Sequence, residues 1–373
     1  MARLPAGYSR RADGRVMARF TVDGTRYSVY GETVAECREK ELQARRQIEE
    51  RTYTRNRNIS FQKYFYEWIE RKTGTIKGNT IHNYKQLYKM IEQEPFTAQK
   101  VSEIERRQII ELQKKLSGKY HTNTVNHIFL MIKMILKMAV EDEIILKNPA
   151  SGVKRLRRTE PETRDTIHRA LTQEETEAFF KYAKGEWFYD LFRFLLWTGC
   201  RCGEAAALEW RDIDRKRGLL KINRTITHDE NGKQTTGTPK TKTSEREIPL
   251  TESVLEILET QKKRQRDFFG NKVLAVNQRV FTGERGSSAA ASEINNAIKR
   301  VIGKAAEGGV AIDPFTAHAF RGTFATRAIE GGMKPNTLKT ILGHSTLAMT
   351  MDLYAHVMPD TKKEEMEKIN IAI

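Results

Sequence analysis

Apolar and polar residues alternate over the first 50 positions in the way that short β-strands require. Residues 15–22 (RVMARFTV) and 26–30 (RYSVY) both alternate, and Asp23-Gly24 between them is a strong hairpin-turn signal. A polar helix is expected over residues 33–50. The pattern therefore predicts a ββα unit, with a further short strand near position 8.

Between residues 59 and 148 the apolar positions recur at spacings of three and four, which is the helical period. The pattern predicts an all-α region of four or five short helices that ends at Asn148-Pro149. The expected helix starts are Ser60, Thr80, Ser102 and Asn123.

The C-terminal half mixes helical and strand patterns. Thr172 and Glu175 form a capping box, and an apolar helix is expected over 187–197. Patterns typical of strands follow at 219–222 and 247–250, and helical patterns return after them. We expect a mixed, mainly α-helical domain with a small antiparallel sheet.

These patterns together predict a multidomain α+β protein. Its expected parts are a small ββα module (1–56), an all-α domain (57–150), a basic linker (151–168) and a mixed domain that carries a C-terminal tail (169–373).

The charge balance of the chain indicates what kind of partner it binds. Lys and Arg number 65 against 48 Asp and Glu, which gives a net charge of +17 and a pI near 9.7. Such an excess suggests a polyanion such as double-stranded DNA. A two-stranded ribbon fits the major groove, so its arginines are candidate DNA contacts, and a basic linker fits a clamp around a duplex. The candidates are Arg11, Arg15, Arg19, Arg26, Lys154, Arg155, Arg157 and Arg158, together with Lys242 farther along the chain. A solvated sheet face and a merely solvated tether are the alternatives.

The sequence gives little support for a disulfide-rich, zinc-binding, secreted, membrane or nucleotide-binding protein. Three cysteines cannot build a disulfide framework, and Cys200 and Cys202 are poorly spaced for zinc. No apolar leader or membrane span is seen, so we expect a cytoplasmic protein with no membrane partner. Asp212 and Asp214 could hint at a two-metal nuclease, but a turn before a strand explains them better. No phosphate-binding loop motif is present.

The C-terminal half carries four short motifs in a fixed order. They are residues 198–204 (TGCRCGE), residues 318–321 (HAFR), residues 342–344 (LGH) and Tyr354, which follows His344 by ten positions. Residues 238–243 (TPKTKT) lie before a strand pattern, between the first two motifs. The set resembles the tyrosine recombinases, the integrase family of phages and conjugative transposons. The resemblance is strong over 166–360, and each motif alone would be weak evidence.

The resemblance implies a role for each residue in the motifs. Tyr354 is the expected nucleophile, and Arg201 and Arg321 are expected to bind the phosphate oxygens, with Glu204 supporting them. Lys240 is the expected general acid, although Lys242 lies in the same turn and stays open as an alternative. His318 is expected to assist proton transfer and His344 to bind the scissile phosphate. No metal or other cofactor is required, because the phosphotyrosine stores the bond.

The resemblance also implies partners. It suggests that the first module binds arm-type DNA sites, that the helical domain binds core sites, and that the protein forms dimers and tetramers on DNA. An excisionase and DNA-bending proteins are further expected partners, and the apolar C-terminal tail is expected to dock on a neighbouring protomer. Two rival hypotheses are a non-catalytic regulator built on the same fold and a type IB topoisomerase-like enzyme.

Overall fold

The computed structural model describes residues 4–50, 58–157, 169–238, 245–270, 278–284 and 286–357. The predictions for Lys240, Lys242, Arg158 and the C-terminal tail fall outside these residues. The chain divides into two compact units, residues 1–163 and 164–373. Within the described ranges, no helix is both long enough and apolar enough to cross a bilayer.

The N-terminal module is a three-stranded antiparallel sheet followed by one helix. Its elements are β1 (Tyr8–Arg10), β2 (Val16–Val22), β3 (Thr25–Gly31) and α1 (Val34–Glu49), and the sheet order is β1-β2-β3. Asp23 and Gly24 both have positive φ at the hairpin turn, and the Thr33 side chain caps α1 by accepting from the Glu36 amide. Val16, Ala18 and Cys37 form its small core. The ββα prediction and the additional strand are confirmed.

The all-α region contains five α-helices and a single 3₁₀ turn. They are α2 (Phe61–Lys72), α3 (Gly78–Lys89), α4 (Pro95–Ala98), the 3₁₀ turn (Val101–Glu103), α5 (Arg106–Ser117) and α6 (Thr122–Glu141). Ser60 caps α2 as predicted, but Ser102 caps nothing, because it lies inside the 3₁₀ turn. Glu105 and Gln108 form the capping box of α5 instead. The start of α3 also lies two positions before the predicted Thr80.

The first part of the predicted basic linker packs on this helical domain. The Asn126 side chain exchanges two hydrogen bonds of 3.0 Å with the backbone of Leu156, and Gln113 donates to the carbonyl of Lys154 at 3.1 Å. These bonds fix the backbone of this part of the chain. The side chains of Lys154, Arg155 and Arg157 stay exposed.

The second unit combines helices with two small antiparallel sheets. Its helices are α7 (Gln173–Ala183), α8 (Tyr189–Thr198), α9 (Cys202–Ala206), α10 (Glu252–Phe269), α11 (Ala291–Glu307), α12 (His318–Glu330), α13 (Pro335–Leu342) and α14 (Ala348–Val357). Its strands are β4 (Ile213–Asp214), β5 (Leu219–Ile222), β6 (Thr225–His228), β7 (Gln234–Gly237) and β8 (Arg246–Pro249). The antiparallel sheet has the order β4-β5-β8, and β6 with β7 forms a separate hairpin. The mixed α+β prediction is confirmed.

The core of this unit holds α8 and α12 together through aromatic rings. Phe192 on α8 stacks on Phe320 on α12 with ring centroids 5.6 Å apart, and Phe179 on α7 meets both rings edge-on. Because α8 ends at the first motif and α12 begins at the second, this packing brings the two motifs together.

Candidate active site

The first motif forms the turn at which α8 ends. Gly199 is the C-cap residue, with φ of 62°, a left-handed conformation that favours glycine. An added Cβ at Gly199 would lie 2.4 Å from the ring of Phe324, so this position also requires close packing. The turn places Arg201 immediately before α9, with its side chain 38% exposed. The guanidinium therefore reaches solvent while its backbone is fixed.

Glu204 joins Arg201 to a second arginine that lies on β8. One carboxylate oxygen accepts from Nη1 of Arg201 at 2.8 Å, and the other accepts from Nη2 of Arg246 at 2.8 Å. Burial raises the pKa of Glu204, but the hydrogen bond and charge of Arg246 outweigh it, so the net shift is downward. Glu204 is thus a buried carboxylate that stays ionised between two cations.

Arg321 links the first motif to the LGH motif. Its guanidinium donates to the carbonyl oxygen of Gly199 at 2.7 Å and to that of Leu342 at 2.6 Å. Burial, followed by the charge of Arg201, lowers the pKa of Arg321 to about 9. Arg201 approaches the same turn, since its Nη2 lies 3.5 Å from the carbonyl oxygen of Gly343.

The network formed by Arg201, Arg246, Arg321 and Glu204 has surplus positive charge. Three guanidinium groups contribute +3 and the single carboxylate −1, so the sum is +2. Within the described parts of the chain, the hydrogen-bond partners of Arg321 are neutral carbonyl groups, so these contacts leave its positive charge uncompensated. Such an arrangement suits an anion with two negative charges, such as a phosphoryl transition state.

The other motif residues lie on α12, on α14 and in the loop between α13 and α14. His344 is buried and its Nδ1 lies 2.9 Å from the hydroxyl of Thr350. Tyr354 is half-buried on α14, and its hydroxyl donates to the carbonyl oxygen of Met333. Burial raises the pKa of Tyr354 above its usual value of 10.0. His318 is exposed in the first turn of α12.

The structure therefore brings together the two predicted arginines, Glu204 and the LGH turn. It does not join the Tyr354 hydroxyl to the arginines by a hydrogen bond, because that hydroxyl binds Met333. Lys240 and Lys242 fall outside the described residues.

Comparison with known proteins agrees with the motifs. Residues 169–360 match the phage integrase family and residues 60–155 match the phage integrase SAM-like domain. A XerC-like tyrosine recombinase of Caldanaerobacter subterraneus is 32% identical over 287 residues, covering 73% of this chain and 72% of the relative. The chain belongs to the phage integrase family. It is a tyrosine recombinase, a site-specific enzyme that cuts and rejoins DNA, as the motifs predicted.

Further likenesses extend over most of this recombinase. The ICEBs1 integrase of Bacillus subtilis is 26% identical over 341 residues, covering 91% of this chain and 90% of the relative. A Tn1549 transposon integrase bound to circular intermediate DNA superposes with a TM-score of 0.71 and 24% identity, covering 84% of this chain and all of that one. A lambda integrase tetramer on a Holliday junction superposes with a TM-score of 0.60 at 16% identity, covering 95% and 96%.

Two residues that the motifs did not reveal form hydrogen bonds with the motif residues. Arg246 is buried and binds both Glu204 and, at 2.5 Å, the carbonyl oxygen of Ile341. A signal for it was available, because strand alternation puts Arg246 on the same face as the buried Ile248, where an arginine needs a carboxylate. The carbonyl of Met333 carried no such signal, since any residue has one.

The two carboxylates of the two-metal hypothesis, Asp212 and Asp214, take part in local hydrogen bonds instead. Asp212 accepts hydrogen bonds from the Glu209 amide and from the guanidinium of Arg224. Asp214 accepts from the Arg217 amide in the turn that follows β4. Within the described parts of the chain, no group of three His, Cys, Asp or Glu residues is arranged to hold a metal ion.

The arginines of the N-terminal module lie mainly on one face of its sheet. Arg19 pairs with Ser28, and Arg26 pairs with Thr21, so both arginines project from the face opposite α1. Both are exposed. Arg15 binds Asp13, and Arg11 lies over the Tyr30 ring at 5.4 Å.

Proposed function

We propose that this recombinase integrates and excises a mobile element through a covalent DNA link to Tyr354. The observation that carries the proposal is the joining of Arg201 and Arg321, which lie 120 positions apart, in one network with surplus positive charge. A scissile phosphate fits such a site because guanidinium groups bind its oxygens bidentately and stay charged.

The reaction is a transesterification that needs no cofactor. The phenol oxygen of Tyr354 attacks phosphorus, the bond from phosphorus to the 5′-oxygen breaks, and a 3′-phosphotyrosine forms. A free 5′-hydroxyl from another strand then attacks the phosphotyrosine and releases Tyr354. Negative charge develops on the non-bridging oxygens during both steps, and Arg201 and Arg321 offset it.

Each step also moves a proton. The phenol of Tyr354 is protonated near neutral pH, since its usual pKa is 10.0 and burial raises it further, so a base must accept its proton. We assign that assistance to His318, which begins α12 three residues before Arg321. Lys240 donates a proton to the leaving 5′-oxygen, with Lys242 as the alternative donor. His344, held by Thr350, donates a hydrogen bond to the phosphate.

Attack requires Tyr354 to change its hydrogen-bond partner. Its hydroxyl binds the Met333 carbonyl, in the loop between α12 and α13. Exchanging that neutral bond for contact with a phosphate costs about 0.5–1.5 kcal/mol, which binding of DNA readily offsets.

DNA is the main partner that this proposal requires. Lambda integrase has been crystallised as a dimer on a core site and as a tetramer on a Holliday junction. We infer the same dimers and tetramers for this chain, with excisionase and DNA-bending proteins as accessory factors. The exposed arginines of the N-terminal sheet, together with Lys154, Arg155 and Arg157, supply phosphate contacts. The cytoplasm is the compartment in which that DNA is reached.

The test is covalent capture on a nicked suicide duplex that carries the element's end sequence. Wild type should give a protein–DNA adduct on a denaturing gel, and Tyr354→Phe should give none. The variant loses only one hydrogen bond, so it should bind the same duplex with unchanged affinity. Tight binding by wild type without any adduct would refute the assignment and favour the non-catalytic regulator.

A further inference from the structure

The hydroxyl of Thr350, in the first turn of α14, has an unusual partner for a threonine in a helix. A helical threonine ordinarily donates to the carbonyl oxygen of the preceding turn. Several threonines of this chain do so, each to the residue four positions earlier: Thr176, Thr198, Thr260, Thr323 and Thr340. The hydroxyl of Thr350 instead lies 2.9 Å from Nδ1 of His344, which is its hydrogen-bond partner within the described part of the chain.

The burial of this pair determines the direction of its hydrogen bond. Thr350 is fully buried and His344 is 8% exposed, so water does not replace the contact. A buried hydroxyl that donates to nothing is costly, so its proton should go to the acceptor within reach, which is Nδ1. Nδ1 accepts only when it carries no proton, and in a neutral imidazole the proton then lies on Nε2.

The ring of His344 is held close to the arginine network. Arg321 donates to the carbonyl oxygen two residues before His344 at 2.6 Å, and Arg201 lies 3.5 Å from the carbonyl oxygen one residue before it. The amide of His344 donates to the Lys339 carbonyl at 3.1 Å. With its backbone and Nδ1 both held, the imidazole keeps one orientation relative to the turn that the arginines bind.

Thr350 also lies one helical turn before Tyr354 on α14. Residues four positions apart lie on the same side of a helix. The contact with His344 therefore ties the start of the helix that carries the proposed nucleophile to the LGH turn. Loss of the Thr350 hydroxyl can act through His344 or through Tyr354, and an experiment must separate the two routes.

We propose that Thr350 is a positioning residue that sets the tautomer of His344, so that Nε2 carries the N–H that donates to the scissile phosphate. The inference rests on the proposed function, in which His344 binds that phosphate. Without the Thr350 hydroxyl the ring exchanges between tautomers, and part of the time it presents a lone pair to an anionic oxygen. Only the N–H form stabilises the charge that develops there, and a buried partner that fixes the tautomer keeps that form populated.

The first measurement determines the tautomer in the absence of DNA. Full-length protein is labelled with nitrogen-15 in its histidines, and NMR signals of the ring nitrogens are recorded at about pH 8.5, where an ordinary imidazole is neutral. The His344→Asn variant identifies the His344 signals by their loss. Wild type should show a protonated Nε2 and an unprotonated Nδ1. Thr350→Val, which keeps the side-chain shape without the hydroxyl, should show signals averaged over both tautomers.

The second measurement is the single-turnover rate at which saturating protein cleaves the nicked suicide duplex. Thr350→Val should cleave about 5- to 30-fold more slowly, which is less than the loss expected when an oriented donor is removed altogether. Thr350→Ser keeps the hydroxyl and should stay within about threefold of wild type. Thr176→Val is the matched control, because the Thr176 hydroxyl donates to the carbonyl at the start of its own helix, and its rate should equal that of wild type.

A double-mutant cycle separates the two routes. His344→Asn keeps a polar group near Thr350 but lacks the Nε2 donor, so it should cleave about 100-fold more slowly than wild type. In that background Thr350→Val should slow cleavage by less than about twofold, because a residue that acts through His344 has nothing left to position. Duplex affinity should be the same for Thr350→Val and wild type, since the buried hydroxyl does not reach DNA.

Other results would overturn the inference. A wild-type ring with its proton on Nδ1 would mean that Thr350 accepts rather than donates. Equal slowing by Thr350→Val with and without His344 would assign its effect to Tyr354, and an unchanged rate would leave Thr350 with no role in cleavage. Slowing that Thr350→Ser does not restore, with a lowered melting temperature, would make its role purely structural. If wild type shows the expected tautomer but forms no adduct, the proposed function fails, and with it the role in cleavage.

Discussion

Glu204→Gln is the substitution that tests the site network most directly. The glutamine side chain has the same shape, but it presents one acceptor oxygen and one NH₂ donor. Arg201 and Arg246 each donate to a different oxygen of Glu204, so one of them must face the new NH₂ group. The variant therefore leaves a cation without its partner and removes the only negative charge of the network.

The expected loss follows from the burial of each pair. The side chains of Glu204 and Arg246 are 3% and 2% exposed, so their ion pair is fully buried. Breaking a buried pair costs about 3–5 kcal/mol, and because glutamine keeps one acceptor we expect about 2–4 kcal/mol. The Arg201 pair adds little, because that side chain is 38% exposed and solvent screens its charge. For a unit of this size the melting temperature should fall by roughly 5–12 °C.

The loss of stability in Glu204→Gln should also depend on pH. The folded pKa of Glu204 is lowered from 4.5, so the unfolded chain binds the proton more readily than the folded protein. The advantage of Glu204 over glutamine is therefore full above about pH 5 and is lost as the pH falls through the lower folded pKa.

Thermal unfolding of the full-length pair at pH 7, 5 and 3.5 checks both statements. The difference in melting temperature between wild type and Glu204→Gln should be equal at pH 7 and pH 5 and smaller at pH 3.5. Glu256→Gln is the control, since it breaks an exposed pair with Arg193 and should change stability by less than about 0.5 kcal/mol. A difference in melting temperature below 2 °C at pH 7, or one that stays the same down to pH 3.5, would refute the stabilising role of the ionised Glu204.

Two further substitutions probe the turn and the N-terminal sheet. Gly199→Ala should destabilise the protein by about 2–4 kcal/mol in a urea titration, because alanine is strained at φ of 62° and its Cβ overlaps an aromatic ring; a loss below 1 kcal/mol would contradict that geometry. The double variant Arg19→Ala and Arg26→Ala should reduce the slope of log K against log salt for arm-type DNA by about 1–2. Lys40→Ala, on the helix rather than the open sheet face, should leave the slope unchanged; equal slopes for all three proteins would exclude that face from the interface.

The sequence predicted best where a local rule decides the structure. Ser60 and Thr172 cap their helices as expected, because a cap needs only its own backbone and the next turn. The prediction that Ser102 caps a helix was wrong, because a capping box formed by Glu105 and Gln108 sets the start of α5 three residues later. Ser102 instead lies inside the 3₁₀ turn that precedes this capping box.

The arginine network shows where sequence reasoning reached its limit. The motifs identified Arg201, Glu204 and Arg321, yet their resemblance to a family gave no reason for the spacing between them. The structure gives one, since Arg321 binds the backbone of the other two motifs rather than their side chains. Carbonyl groups carry no sequence signature, so neither this bond nor the one from Tyr354 to Met333 can be foreseen from the residues alone.

The choice of backbone acceptors also explains how the site keeps its charge. A carboxylate partner would hold Arg321 equally well, but it would neutralise the guanidinium that binds the phosphate in the proposed reaction. Carbonyl oxygens fix its geometry and leave the full charge, at the cost of a pKa lowered to about 9 by burial and by Arg201. The pKa of Arg321 should rise again when a phosphate binds, because the anion offsets the repulsion between Arg201 and Arg321. In the proposed reaction, binding energy from DNA is thereby directed to the atoms at which charge develops, which is what a strand-transfer site requires.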